Sequence, residues 1–216
     1  MHIDKLVNSK LNTIADWIIR VVVINILTIV CALPLITAYA ALGAGYNRFQ
    51  DYLQGREGAL ISGYFHHFRH ALLKKIGLGI VLTVLFSLVV FNTRYYLRLT
   101  EDAGGAWTVM GYVISLVLLA LLLVVTLYSF AVLRVTSSLQ VTALFKVAFY
   151  LSGKFFFRTM LLIPTVILPV FLLITPLTAL GFVFAGVSVP LLINAYLTLD
   201  AVDHLERLAS RHETRH

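Results

Sequence analysis

Four stretches of this chain, residues 21–47, 76–93, 103–133 and 159–199, contain no Asp, Glu, Lys or Arg. Each reaches or exceeds the roughly 18 apolar residues that a helix needs to cross the hydrocarbon core of a bilayer. A soluble domain of 24.1 kDa has too little interior to hide four such runs from water. Lipid offers no hydrogen bonds to the backbone, and helices satisfy theirs within the segment. The sequence therefore predicts an all-α, polytopic transmembrane helical bundle. Only 12% of residues are charged, about half the share found in soluble domains, which supports the same class.

Five spans are expected, at 18–46, 75–98, 107–133, 159–175 and 178–199, forming one membrane-embedded domain over 1–216. Residues 1–17, with apolar Ile3, Leu6, Val7, Leu11 and Ile14 at helical spacing, read as an interfacial N-terminal helix. The apolar run continues past the length of a cleavable leader, so an uncleaved first segment is expected. Trp17 and Tyr46 stand where amphipathic aromatics favour the headgroup region. Pro34 removes a backbone donor midway and should kink or break the first span near Leu33-Pro34. After it, Thr37, Ala41 and Gly45 recur every four residues, a small face that lets another helix approach closely.

The second and third spans, joined by Glu101-Asp102-Ala103-Gly104-Gly105, are expected to form an antiparallel hairpin. As one helix, the final 41 uncharged residues would run about 60 Å, twice a hydrocarbon core, so they must fold back. Pro176, following Pro164 and Pro169, marks the turn. Segments 47–74 and 134–158 and the tail 200–216 are basic or interfacial. In the second of these, Lys146, Tyr150, Lys154 and Arg158 recur every four residues, aligned on one face toward lipid phosphates.

Twelve Lys and Arg lie in 48–75, 134–158 and beyond 200, against five elsewhere, which places the large loops and the C-terminus in the cytoplasm and the N-terminus outside. If the first segment instead re-enters on the cytoplasmic side, the split becomes fifteen against two.

Intramembrane acid–base or ion-coupling chemistry calls for an Asp, Glu, Lys or His within the hydrocarbon region, and the four uncharged runs hold none. Protease, esterase and phosphate-loop motifs are absent. Cys31 is the sole cysteine, and no cofactor is expected. His66, His67 and His70 are the one cluster with metal-like spacing, yet no Asp, Glu or Cys lies close to complete a site. An interfacial aromatic-polar face is the reading adopted for them, with a ligand or pH-sensor role as the alternative. Asn25, Asn92 and Asn194 suit interhelical hydrogen bonds. Asp200, Asp203 and Glu206 suit salt bridges to the basic loops. The net charge of +7 suits anionic lipid headgroups, and no loop is large enough for a nucleic-acid-binding module.

Asn25, Leu33-Pro34-Leu35-Ile36-Thr37 with the small residues after it, Gly55-Arg56-Glu57 and Phe65-His66-His67-Phe68 together resemble the YesL family of uncharacterised bacterial membrane proteins, most clearly over residues 18–76. The resemblance implies several helices in the cytoplasmic membrane and an association with carbohydrate uptake. It supplies no active site.

The leading expectation is a non-enzymatic accessory or regulatory protein that contacts a transporter, or a second copy of itself, through the small face at 37–45 and its basic cytoplasmic surface. The alternatives are a small transporter with a path between proline-broken helices, and an enzyme working at the cytoplasmic interface through the histidines.

Overall fold

A computed structural model describes residues 2–136, 140–174 and 176–213, and among them every regular element is helical. In order these are α1 (His2–Ala32), a short 3₁₀ turn (Leu35–Thr37), α2 (Ala38–Leu53), α3 (Leu60–Arg69), α4 (Leu72–Ala103) and α5 (Ala106–Val135). There follow α6 (Val141–Lys154), α7 (Phe156–Leu172), α8 (Pro176–Gly181), a π-helical turn (Phe182–Gly186), α9 (Ser188–Leu197) and α10 (Leu199–Glu213). Three helical stretches, Asn12–Ala32, Leu72–Glu101 and Ala106–Val135, are long and apolar enough to cross a bilayer. The count reaches five if each of two bent pairs, α6 with α7 and α8–α9 across the π turn, is one span. The expected all-α polytopic bundle is the observed architecture, with three to five candidate spans.

The chain packs as two compact units, the first formed by Met1–Leu72 with Pro164–Tyr196 and the second by Leu73–Ile163 with Leu197–His216. In the first, α1 runs without interruption from His2, so no break sets 1–17 apart from the span. It ends at Ala32. Pro34, extended at φ −74° and ψ 99°, cannot continue it, and the Thr37 hydroxyl donates to the carbonyls of Cys31 (2.6 Å) and Pro34 (2.8 Å). The expected single crossing over 18–46 is thus a helical hairpin. Gly45 of α2 lies against Ile24 and Thr28, while Tyr52, seven residues on, meets Trp17 at 6.3 Å between ring centroids. Rising residue numbers on α2 meet falling ones on α1, so α2 runs back along it. A reversal wins over a kink because α2 buries nearly its whole length, including Ala40, Ala41, Ala44, Tyr46 and Phe49.

In the second unit, Asn92 donates to Ser115 (2.8 Å) and the ring of Tyr96 lies over Gly111, pairing α4 and α5 antiparallel about the Gly104-Gly105 turn as expected. Gly104 takes φ +54°, a conformation glycine adopts without strain. The α6–α7 junction turns by 107° at Phe155, which ends the four-residue register anticipated through Arg158. As expected for a span over 159–175, and against the proline breaks of the transporter alternative, α7 passes through both Pro164 and Pro169. Membrane helices tolerate proline where neighbouring groups re-satisfy the freed carbonyls. The turn expected at Pro176 coincides with the start of α8, although Thr175 before it lies outside the described residues. A further discontinuity is a 48° bend across the π turn, where no proline stands.

Candidate functional site

The first unit places an ionic cluster where the last turns of α2 meet α3. Arg48 is 4% exposed and Asp51 8%. Helical spacing puts Arg48 Nη1 3.4 Å from Asp51 Oδ2, and the same oxygen lies 2.6 Å from His67 Nε2 on α3. Arg48 Nη2 donates to the carbonyl of Gly58 and to that of Ala59 (3.3 Å), so one guanidinium ties the 54–59 loop to α2. Gly55, at φ +71°, makes the turn that starts that loop. Gly63 is needed for a different reason: a Cβ there would sit 2.9 Å from Arg48 Nε. Arg48 and Arg20 both stack on the Tyr52 ring, each 4.2 Å from its centroid, and Arg20 pairs with Asp16 at 2.5 Å. Tyr64, fully buried, donates to the Ala41 carbonyl at 3.1 Å, and burial raises the affinity of its phenol for the proton well above the usual range.

This geometry corrects the sequence reading of the histidines. A carboxylate does stand beside one of them, Asp51, supplied by another helix sixteen residues earlier. The three do not converge. His67 points in toward Asp51, while His66 and His70 lie on the exposed face of α3 with Ser62, Phe65 and Arg69. Among the described residues no group of three His, Cys, Asp or Glu side chains is placed to hold a metal ion. What the cluster does chemically is fix shape: the Asp51 bond orients the His67 ring, and Arg48 holds the loop.

A second polar centre lies deeper. Asn25, fully buried on α1, donates through Nδ2 to the carbonyls of Phe182 (3.0 Å) and Val183 (2.6 Å). Its Oδ1 accepts from the backbone N–H of Val187 (2.9 Å) and Ser188 (2.8 Å). One amide thereby satisfies four backbone groups at the π turn, which is how irregular backbone survives in an apolar interior. Gly45 sits beside it, its missing Cβ leaving room for Leu191 (3.0 Å), Thr28 (3.1 Å) and Ile24 (3.3 Å). Ala41 and Asn194 are buried in the same unit. The small face at 41–45 is therefore used inside the chain, and Thr37 caps the end of α1 instead of joining that face. Tyr46, expected at the interface, is buried and accepts from Gln50 (2.9 Å), which also donates to the Ala195 carbonyl (2.7 Å).

In the second unit, two of the three basic residues expected to face lipid phosphates, Lys146, Lys154 and Arg158, have protein partners. Arg158 pairs with Asp200 and donates to the Leu197 carbonyl (3.3 Å), and Lys154 Nζ lies 2.7 Å from His204 Nε2. Lys146 remains exposed on α6 beside Phe149 and Tyr150. The Asp200 bridge is the kind of contact expected for the acidic residues after the last span. Tyr128, buried on α5, shares a hydrogen bond with Thr159 of α7 (3.0 Å).

An all-helical chain with several bilayer-length apolar helices and polar groups spent on internal contacts is a polytopic membrane protein. Residues 21–93 match the family model described as "Protein of unknown function, DUF624", a stretch that covers α2, α3, Asn25 and the whole Arg48–Asp51–His67 cluster. No curated protein and no solved structure matches the chain.

Proposed function

We propose that this chain is a non-enzymatic accessory or regulatory subunit of a transport system in the cytoplasmic membrane, carbohydrate uptake being the class implied by its likeness to the YesL family. Its contact surface is the exposed 55–59 loop, which carries Arg56 and Glu57. The observation that carries this reading is the almost fully buried Arg48, whose guanidinium holds the carbonyls of Gly58 and Ala59. Burying an ion pair gains little stability over an apolar core of the same volume, and its attested use is to enforce one conformation. Here the conformation enforced is that of an exposed loop. The small face at 37–45 no longer supports partner contact, because its buried residues pack within the chain.

The same reading places the 54–59 loop, the N-terminus and the C-terminus in the cytoplasm. The α1–α2 hairpin returns the chain to the end from which it started, which favours the fifteen-to-two division of basic residues over an outside N-terminus.

A photo-crosslinking residue at Arg56 or Glu57, in protein expressed at its native level, should capture a transporter subunit, and the two should co-purify from mild detergent. Recovery of the protein alone and monomeric, or crosslinked only to a second copy, refutes the proposal. The break at 182–188 favours a second reading, since discontinuous helices line solute paths in transporters. Asn25 already occupies the Phe182 and Val183 carbonyls and the Val187 and Ser188 N–H groups, which supports the accessory role instead. Flux of a sugar into liposomes that contain only this protein would reverse that preference.

A further inference from the structure

The outer face of α3 is not used by the contact surface proposed above. Ser62, Phe65, His66, Arg69 and His70 fall at helical spacings of three and four, and together they line an open groove of about 580 Å³. The inner face of the same helix is pinned by Tyr64 to the Ala41 carbonyl and by His67 to Asp51, so the groove sits on a fixed element. Its polar lining is one-sided in charge: two imidazoles, a guanidinium and a hydroxyl, with no carboxylate. Arg69 has no ion-pair partner among the described residues, although Arg20, Arg48 and Arg158 each have one. Exposed Ile61 and Phe65 add an apolar edge, and the first residue of the next apolar helix follows three positions after Arg69.

We infer that this groove binds a phosphate oxyanion, supplied by the headgroup of an anionic phospholipid. Guanidinium is the side chain whose fork of donors matches two phosphate oxygens, and the ring N–H groups of His66 and His70 with the Ser62 hydroxyl complete a donor set around a third. The apolar edge selects the lipid source over free phosphate, because Ile61 and Phe65 gain contact only with a ligand that carries acyl chains. The site is separate from Lys146, Lys154 and Arg158, which lie in the other unit.

The test uses the full chain in neutral detergent and calorimetric titration with three probes: dihexanoyl phosphatidylglycerol, dihexanoylglycerol and inorganic phosphate. Phosphatidylglycerol should bind, the phosphate-free diacylglycerol should not, and inorganic phosphate should compete only weakly. Arg69→Gln should weaken phosphatidylglycerol binding about tenfold, the worth of a lost charge-assisted bond, with partial recovery in Arg69→Lys and no change in Lys146→Gln. The double variant His66→Gln/His70→Gln gives an independent reading if Arg69→Gln does not fold. Equal affinity in wild type and both variants overturns the inference, as does equal binding of diacylglycerol. Inorganic phosphate binding as tightly as the lipid overturns the lipid source. A protein crosslinked through position 69, with lipid binding unchanged by the variants, overturns it as well.

Discussion

Replacing Asn25 by Leu tests how the bundle tolerates a break inside an apolar span. Leucine keeps the branched shape, though with larger methyl ends, and removes four hydrogen bonds, those to the Phe182 and Val183 carbonyls and from the Val187 and Ser188 N–H groups. At about 0.6 kcal/mol each, the average for interhelical bonds in a membrane protein, the loss is about 2.4 kcal/mol. The two N–H groups are the costlier part, since a buried donor left without an acceptor costs about 1–3 kcal/mol. The expected destabilisation is therefore about 2–5 kcal/mol. For a chain of this size that corresponds to a fall of roughly 4–20 °C in Tm, using 2–4 °C per kcal/mol. Thermal denaturation in detergent, followed by size-exclusion chromatography of the soluble fraction, measures it. Asn92→Ala, which removes a single bond to Ser115, is the internal comparison and should cost under about 1 kcal/mol. If Asn25→Leu melts within 2 °C of wild type, or no lower than Asn92→Ala, the amide is not what holds the π turn.

Gly45→Val should destabilise by about 1–3 kcal/mol in the same assay, because even its Cβ would stand 3.0 Å from Leu191 and 3.1 Å from Thr28. Gly63→Ala forces Arg48 aside from its 2.9 Å approach and should speed hydrogen exchange and proteolysis in the 55–59 loop while leaving Tm nearly unchanged. Tyr64 is held neutral by burial, so its folded-state proton affinity exceeds the unfolded value. Its contribution is therefore complete below about pH 10 and declines as pH rises beyond that, and the alkaline fall in Tm should be shallower in Tyr64→Phe than in wild type. At neutral pH the same variant should lose about 1 kcal/mol with the bond to Ala41. Arg158→Gln breaks a largely solvated bridge to Asp200 and should cost less than about 1 kcal/mol.

What could be read from the residues was whatever depends on one segment at a time. Uncharged runs gave the spans, Gly104-Gly105 gave the α4–α5 turn, and Pro34 gave the end of α1, since each effect is local. The reversal at Pro34 was readable only as the re-entrant alternative in the count of basic residues, because the choice depends on Gly45 accepting Ile24, Thr28 and Leu191 from two other helices. The break at 182–188 was not readable for a similar reason: its partner, Asn25, lies more than 150 residues away, and no proline marks it. His67 looked isolated since Asp51 reaches it only once α3 folds onto α2. Lys154 and Arg158 looked free for lipid until α10 supplied His204 and Asp200. The one advance signal of the cluster was a charge pair, Arg48 and Asp51, set three apart directly after an uncharged run.

The hairpin of α1 and α2 governs both the site and its sidedness, and membrane-impermeant thiol labelling tests it directly. In a Cys31→Ser background, single cysteines replace Thr13, Arg56 and Glu101 in turn, and intact cells are labelled before and after permeabilisation. Positions 13 and 56 should stay unlabelled until the membrane is opened, while position 101, at the far end of the Leu72–Glu101 span, should label from outside. Labelling of position 13 in intact cells, with position 56 protected, would mean that the first segment crosses once, and the hairpin would be refuted.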